Sequence, residues 1–271
     1  MGARIHMEAE DHLRNGQLDE ALASVQARVR SAPGDAPLRI CLFEVLSAMG
    51  QWERALQQLT VLEGMGSQQL LFARVYQAVI QSELMRRDIF AGARSPLVFG
   101  EPEPWVSFLL EANQLLGKGE FSGAAELRDR ALAEAPAIPG KINGADFAWL
   151  ADADQRLGPM LELILEGRYF WVPLSRIQRI EVEPPKQLRE LLWKGATFVW
   201  VNGGQANGLI PVRYPGTESA ADGPLRLGRR TEWAEQPGGP SIGLGQRLLA
   251  TDVADYPLLE VRTVELTPAA A

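Results

Sequence analysis

The chain has 271 residues, 46% of them apolar, and 27 basic against 34 acidic side chains give a formal charge of -7. That charge argues against nucleic acid as a partner, because a phosphate backbone is bound by a basic surface. A single Cys makes no internal disulfide, two His leave little for a His-rich metal site, and no uncharged apolar run is long enough to cross a bilayer.

Residues 1–17 do not read as a signal peptide, since Glu8, Glu10 and Asp11 interrupt them and no apolar core follows. With the cysteine usage this points to a reducing compartment, and the expectation is a cytoplasmic protein without cofactors or membrane insertion. Met7–Asn15 has the pattern of a short capping helix. Leu18, Ala21, Leu22, Val25 and Val29 then share one helical face, with Arg28 and Arg30 in the last turn where positive charge suits the helix dipole.

Ala32-Pro33-Gly34-Asp35 ends that helix, and Asp35 is placed to cap the next, with Pro37 in its first turn. Leu42, Val45 and Leu46 form the inward side of the second helix, and Cys41 beside them reads as an inert core thiol. A third helix after Gly50 turns Trp52, Ala55, Leu56, Leu59 and Leu62 inward. The segments G-Q-L-D-E-A-L at Gly16–Leu22 and G-Q-W-E-R-A-L at Gly50–Leu56 are offset by 34 residues. That step is the tetratricopeptide period.

Gln68–Ala91 has the length of one long helix or two short ones, with Leu71, Val75, Val79, Ile80 and Ile89 as its apolar stripe. Gly92–Pro104 is rich in Pro and Gly and reads as a connector. Helical pattern resumes at Trp105–Gly117, and a degenerate last pair ends near Ala135, making about seven helices in residues 1–135.

From Pro136 the composition changes. Residues 136–271 read as a small, mostly antiparallel mixed α/β domain, so the fold class is α+β. Pro159 is expected to open a short helix through Glu166. Seven segments, Tyr169–Val172, Ile177–Val182, Phe198–Val201, Leu209–Tyr214, Arg230–Trp233, Gln246–Thr251 and Leu259–Leu266, are the candidates for a set of about six strands. Pro211 argues for an edge or bulge position, and the final T-P-A-A-A reads as disordered.

For chemistry, Asp152 and Asp154 form the most catalytic-looking pair, because two carboxylates two residues apart can bind a divalent cation or share a proton. A metal-assisted hydrolase using them, with the helical repeats as a recruiting arm, is therefore the alternative function. Against it, Arg156 is placed to neutralise one of them, and a turn-and-cap role accounts for the segment better. His6 and His12 have no base or nucleophile beside them. The Gly203-Gly204 and Gly243–Gly245 clusters lack Walker spacing, and Ser175 and Ser241 lack an elbow motif. Trp149 is the candidate for an exposed anchor at the junction of the two halves. Arg176, Arg179, Arg189, Arg213, Arg226, Arg229 and Arg230 read as scattered on solvated faces. No catalytic, cofactor or metal residue is assigned. Binding remains, since a stack of repeat helices exposes a surface that accepts an extended or helical peptide.

The chain also resembles the ImpE/TagJ family of type VI secretion accessory proteins. The resemblance rests on R-S-A-P-G-D-A-P-L-R at Arg30–Arg39, G-Q-W-E-R-A-L-Q-Q-L at Gly50–Leu59 and P-L-V-F-G-E-P-E-P-W at Pro96–Trp105. It is carried most strongly by F-A-W-L-A-D-A-D-Q-R-L-G-P at Phe147–Pro159 with G-R-Y-F-W-V-P at Gly167–Pro173. R-Y-P-G at Arg213–Gly216, R-R-T-E-W at Arg229–Trp233 and G-L-G-Q-R at Gly243–Arg247 follow in order. The resemblance implies a cytoplasmic, non-enzymatic adaptor with a tetratricopeptide-like half and an α/β half. It further implies binding to the N-terminal helix of the small contractile-sheath subunit and association with the ring-shaped AAA+ ATPase that recycles the sheath. The Asp152/Asp154 segment is a hallmark of the family and carries no catalytic motif to transfer.

Overall fold

The computed structural model describes residues 9–101, 103–236 and 238–267. Expectations for His6, for the start of the first helix at Met7 and for residues 268–271 fall outside them. Residues 9–14 are helical. Six longer helices follow: α1 (Leu18–Ser31), α2 (Ala36–Ala48), α3 (Trp52–Glu63), α4 (Ser67–Phe90), α5 (Pro104–Gly117) and α6 (Phe121–Glu134). All five residues expected inward on α1 are buried. The Asp35 side chain accepts the Leu38 N–H at 3.0 Å and caps α2, with proline in the first turn.

The Gln68–Ala91 pattern forms one helix, yet its stripe divides. Val79, Ile80 and Ile89 are buried, whereas Leu71 is 68% and Val75 45% exposed. Successive helices pack as neighbours, and Gly16 and Gly50 turn the chain with φ of 74° and 69°. These two glycines also receive the far end of the sequence. A Cβ on Gly16 would lie 2.6 Å from Pro224, and one on Gly50 2.6 Å from Glu218. Their shared motif therefore serves a tertiary contact as well as a turn.

Gly92–Pro104 is more than a connector. It carries β1 (Leu97–Val98), which pairs in parallel with a strand of the sheet. The remaining strands are β2 (Gly140–Ile142), β3 (Ala145–Phe147), β4 (Leu150–Asp152), β5 (Met160–Leu165), β6 (Arg168–Pro173), β7 (Ile177–Val182), β8 (Trp193–Trp200), β9 (Gln205–Pro211), β10 (Thr231–Ala234), β11 (Ile242–Gly245), β12 (Leu248–Thr251), β13 (Asp255–Pro257) and β14 (Thr263–Leu266). A four-residue helix, α7 (Gly223–Arg226), lies between β9 and β10.

Nine strands form one sheet in the order β1-β6-β5-β9-β8-β7-β14-β2-β3, antiparallel except at β1. Strands β13, β12 and β4 form a second small sheet, and β10 and β11 a hairpin. The sheet is thus larger than the expected six strands, and the helix expected after Pro159 is strand β5. Met160–Leu165 is a short apolar run that pairs along its whole length with β6, and Met160–Ile164, buried on both faces, suit a central strand. Pro211 does not take the edge or bulge position expected for it: it is the last residue of β9, opposite Trp193, in a strand flanked by β5 and β8, so the proline is accommodated at the strand's end.

Alternation divides the core. Met160, Ile164, Tyr169, Trp171 and Trp193 belong to the cluster that includes the helices, while Leu161, Leu163, Val172, Phe198 and Ile210 belong to a second cluster. Helices and sheet therefore share one apolar interior, and Glu162, in phase with Met160 and Ile164, points into it.

Candidate functional site: a buried charge network at the junction

Glu162 is fully buried and faces α4. Arg86 of α4 meets it twice, Nε to Oε1 at 2.5 Å and Nη2 to Oε2 at 2.9 Å. The Tyr169 hydroxyl also donates to Oε1, and its oxygen receives the Trp171 indole N–H at 2.7 Å. From the other side comes Arg247, just before β12 and fully buried. One of its Nη groups donates to Glu162 and the other to Asp152 of β4, while its Nε donates to the Pro211 carbonyl at 3.0 Å. The network continues outward through Glu83, which pairs with Arg86 at 3.3 Å and accepts the Trp193 indole N–H at 2.7 Å.

Asp152 and Asp154 do not converge. Asp152 faces Arg247, accepts the Tyr214 hydroxyl at 3.1 Å and caps its own turn by accepting the Asp154 N–H at 2.9 Å. Asp154 pairs with Arg156 at 2.5 Å and accepts the backbone N–H groups of Arg156 at 3.0 Å and Gly243 at 3.1 Å. Arg156 in turn lies over the Phe90 ring of α4 at 4.8 Å. Each carboxylate is spent on a different guanidinium, so this pair does not build the shared cation site that a metal-assisted hydrolase would need. No cluster of three His, Cys, Asp or Glu side chains suited to a metal occurs among the described residues.

The electrostatics follow from burial and pairing. Burial alone would raise the Glu162 carboxyl, but Arg86 and Arg247 outweigh it and hold the group down at about 2. Burial pushes the Asp152 carboxyl up to about 6; Arg247 pulls the other way and Asp154 adds to the rise. Tyr214 is raised by burial and by the Asp152 charge, so it stays a neutral donor. Cys41 is pushed by burial, with Glu44 beside it, up to about 11 and stays a thiol.

Arg213, expected on a solvated face, is buried. Its guanidinium caps the C-terminal end of α2, donating to the Ala48 carbonyl at 2.8 Å and to Ser47 at 3.3 Å, and reaches Arg226 at 2.5 Å. Burial lowers its pKa, and the helix carbonyls replace the water it gives up. Trp149 is 38% exposed and lines a cavity of about 380 Å³ with Leu132 and Pro136, between the end of α6 and β4. The His12 ring hydrogen-bonds the Gln17 side chain at 2.9 Å.

Sequence reasoning missed Arg86 and Arg247, and it set Glu162 apart from Asp152 and Asp154 on the helix expected after Pro159. Glu162 and Arg86 left a signal: Glu162 interrupts an apolar run, and Arg86 stands on the buried side of α4 between Val79–Ile80 and Ile89–Phe90. A charge in register with a core face signals a buried partner.

Fold and site together define a helix-and-sheet protein whose buried charges tie α4 to the sheet. The sequence profile of the ImpE protein family matches residues 144–265. The type VI secretion system accessory component TagJ of Pseudomonas aeruginosa is 44% identical over 264 residues, covering 97% of this chain and 92% of that protein. The crystal structure of protein VPA1032 from Vibrio parahaemolyticus has a TM-score of 0.86 at 25% identity, covering 96% of this chain and 97% of that one. The chain belongs to the ImpE family.

Proposed function

We propose that this chain is a cytoplasmic, non-enzymatic adaptor of a type VI secretion system that binds the N-terminal helix of the small contractile-sheath subunit. In this reading residues 1–135 work as a tetratricopeptide-like repeat and residues 136–271 as the α/β half that closes it. Trp149 is the interface anchor at the junction, Asp152, Asp154 and Arg156 hold that junction together, and a further contact links the sheath to its recycling AAA+ ATPase.

The observation that carries the reading is the use of the buried charges. Every carboxylate of the network is matched to a guanidinium, while α4 presents Leu71 and Val75 to solvent. Rigid interior and unpartnered apolar helix face suit a protein that holds another. Family membership supports the secretion context. Calorimetric titration of the full chain with the sheath-subunit N-terminal peptide is the test: saturable 1:1 binding is expected, and its absence overturns the reading.

A further inference from the structure

From Arg74 onward the solvent-exposed side of α4 forms one wall of an open groove of about 850 Å³ whose other side is the sheet. Along α4, Val75 and Ala78 line it, and Leu71, one turn before Val75 on the same helical face, lies beyond its end. Ala78 is half-buried because the β5–β6 hairpin tip abuts it; a Cβ on Gly167 would lie 3.2 Å away.

The floor is made by the helix-facing side of β8 and β9, here Gly195, Thr197 and Asn207, where the sheet extends past the helices. Thr197 and Asn207 hydrogen-bond across the strands at 2.9 Å. Gly195 carries nothing into the groove, and a Cβ placed there meets no atom within 4 Å. The groove is thus a corner with an apolar wall and a floor in which Ile164 and Leu209 adjoin the polar, side-chain-poor patch of Gly195, Thr197 and Asn207. An amphipathic helix matches that division, since one stripe meets the wall and the flank at right angles to it meets the floor.

Charge gives the occupant a direction. Around the groove Glu183 is paired with Lys186 at 3.0 Å, Glu190 with Lys194 at 3.4 Å, and Glu181 with Arg179 at 2.8 Å. Two lining charges, Arg74 on α4 and Glu166 at the hairpin tip, make no ion pair among the described residues. Arg74 precedes Val75, and Glu166 lies beside the hairpin residue that touches Ala78, so the two mark positions roughly one helical turn apart along the wall.

We propose that the corner between α4 and strands β8 and β9 seats an amphipathic helix of another protein, which sets an apolar stripe on Val75 and Ala78, a carboxylate against Arg74 and a cation against Glu166. This rests on the adaptor reading and supplies the place and polarity of its contact.

The test titrates the full chain and its variants calorimetrically with the sheath-subunit N-terminal peptide. Gly195→Trp, at a position where an added Cβ meets no atom within 4 Å, is expected to fill the groove and weaken binding at least tenfold. Arg74→Glu and Glu166→Lys, both at solvent-facing positions, are expected to weaken it several-fold each and to flatten its salt dependence. Circular dichroism checks that each variant keeps the parent fold.

Undiminished binding by Gly195→Trp and Glu166→Lys overturns the placement and leaves the adaptor reading standing. Failure of the parent chain to bind overturns both. Light scattering that shows a dimer of the parent, dissociated by Val75→Glu, assigns the face to a second copy and overturns the proposal.

Discussion

Replacing Arg247 by Met tests whether the interior charges lock the two halves together. Arg247 is fully buried and bridges Asp152 to Glu162. Met keeps much of its volume and removes its charge. Glu162 retains Arg86 and Tyr169, but Asp152 is left with Tyr214 and one backbone N–H. Stripping one partner from a buried pair costs about 3–5 kcal/mol. For a chain of this size that lowers the melting temperature by roughly 6–20 °C.

The loss also has a pH signature. Asp152 already sits at about 6 against an ordinary 3.8, and removing Arg247 raises it further. A carboxyl raised on folding weighs against the fold above its folded pKa and is relieved as protons bind below it. The variant is therefore most destabilised near pH 8 and recovers part of the loss near pH 5. Asp152→Asn in the Arg247→Met background should restore stability at pH 8. Urea denaturation at the two pH values measures this. A loss below about 1 kcal/mol at pH 8, against the several expected for a broken buried pair, or one independent of pH, refutes the lock.

The opposite sign is expected at Glu162. Its pKa is depressed from 4.5 to about 2, so it contributes about 3 kcal/mol that is fully present above 4.5 and lost as the pH falls through 2; Glu162→Gln should lower stability at pH 7 and shrink the acid-induced loss. Arg213→Met uncaps α2 and should cost about 2 kcal/mol or more, read as faster amide exchange at Ser47–Gly50. Asp35→Ala removes the N-cap of α2 and should cost about 1 kcal/mol by thermal denaturation. Cys41, held as a thiol by burial, should react with a thiol reagent far more slowly in the native chain than after denaturation.

The sequence by itself determined most of the helical half, because helices there declare themselves within a few turns, although it left Gln68–Ala91 open between one helix and two. Leu18 to Val29 repeat at helical spacing, Asp35 caps its neighbour, and Gly16 and Gly50 mark equivalent turns. The strand at Ile177–Val182 was legible in the same way, since its alternating burial is a local pattern. Strand β5 was not: six consecutive apolar-framed residues carry no period that separates a central strand from a helix.

What only the tertiary structure decided is the use of the charges and of α4. Asp152 and Asp154 adjoin in sequence, yet their partners Arg247 and Arg156 differ, and Arg247 reaches across 95 residues to Asp152 and 85 to Glu162. Likewise the stripe on α4 is continuous in sequence, but the neighbouring helices and sheet cover Val79, Ile80 and Ile89 and stop short of Leu71 and Val75. Periodicity tells which face of an element is apolar. Whether that face is covered depends on where distant segments come to lie, and no local pattern encodes that.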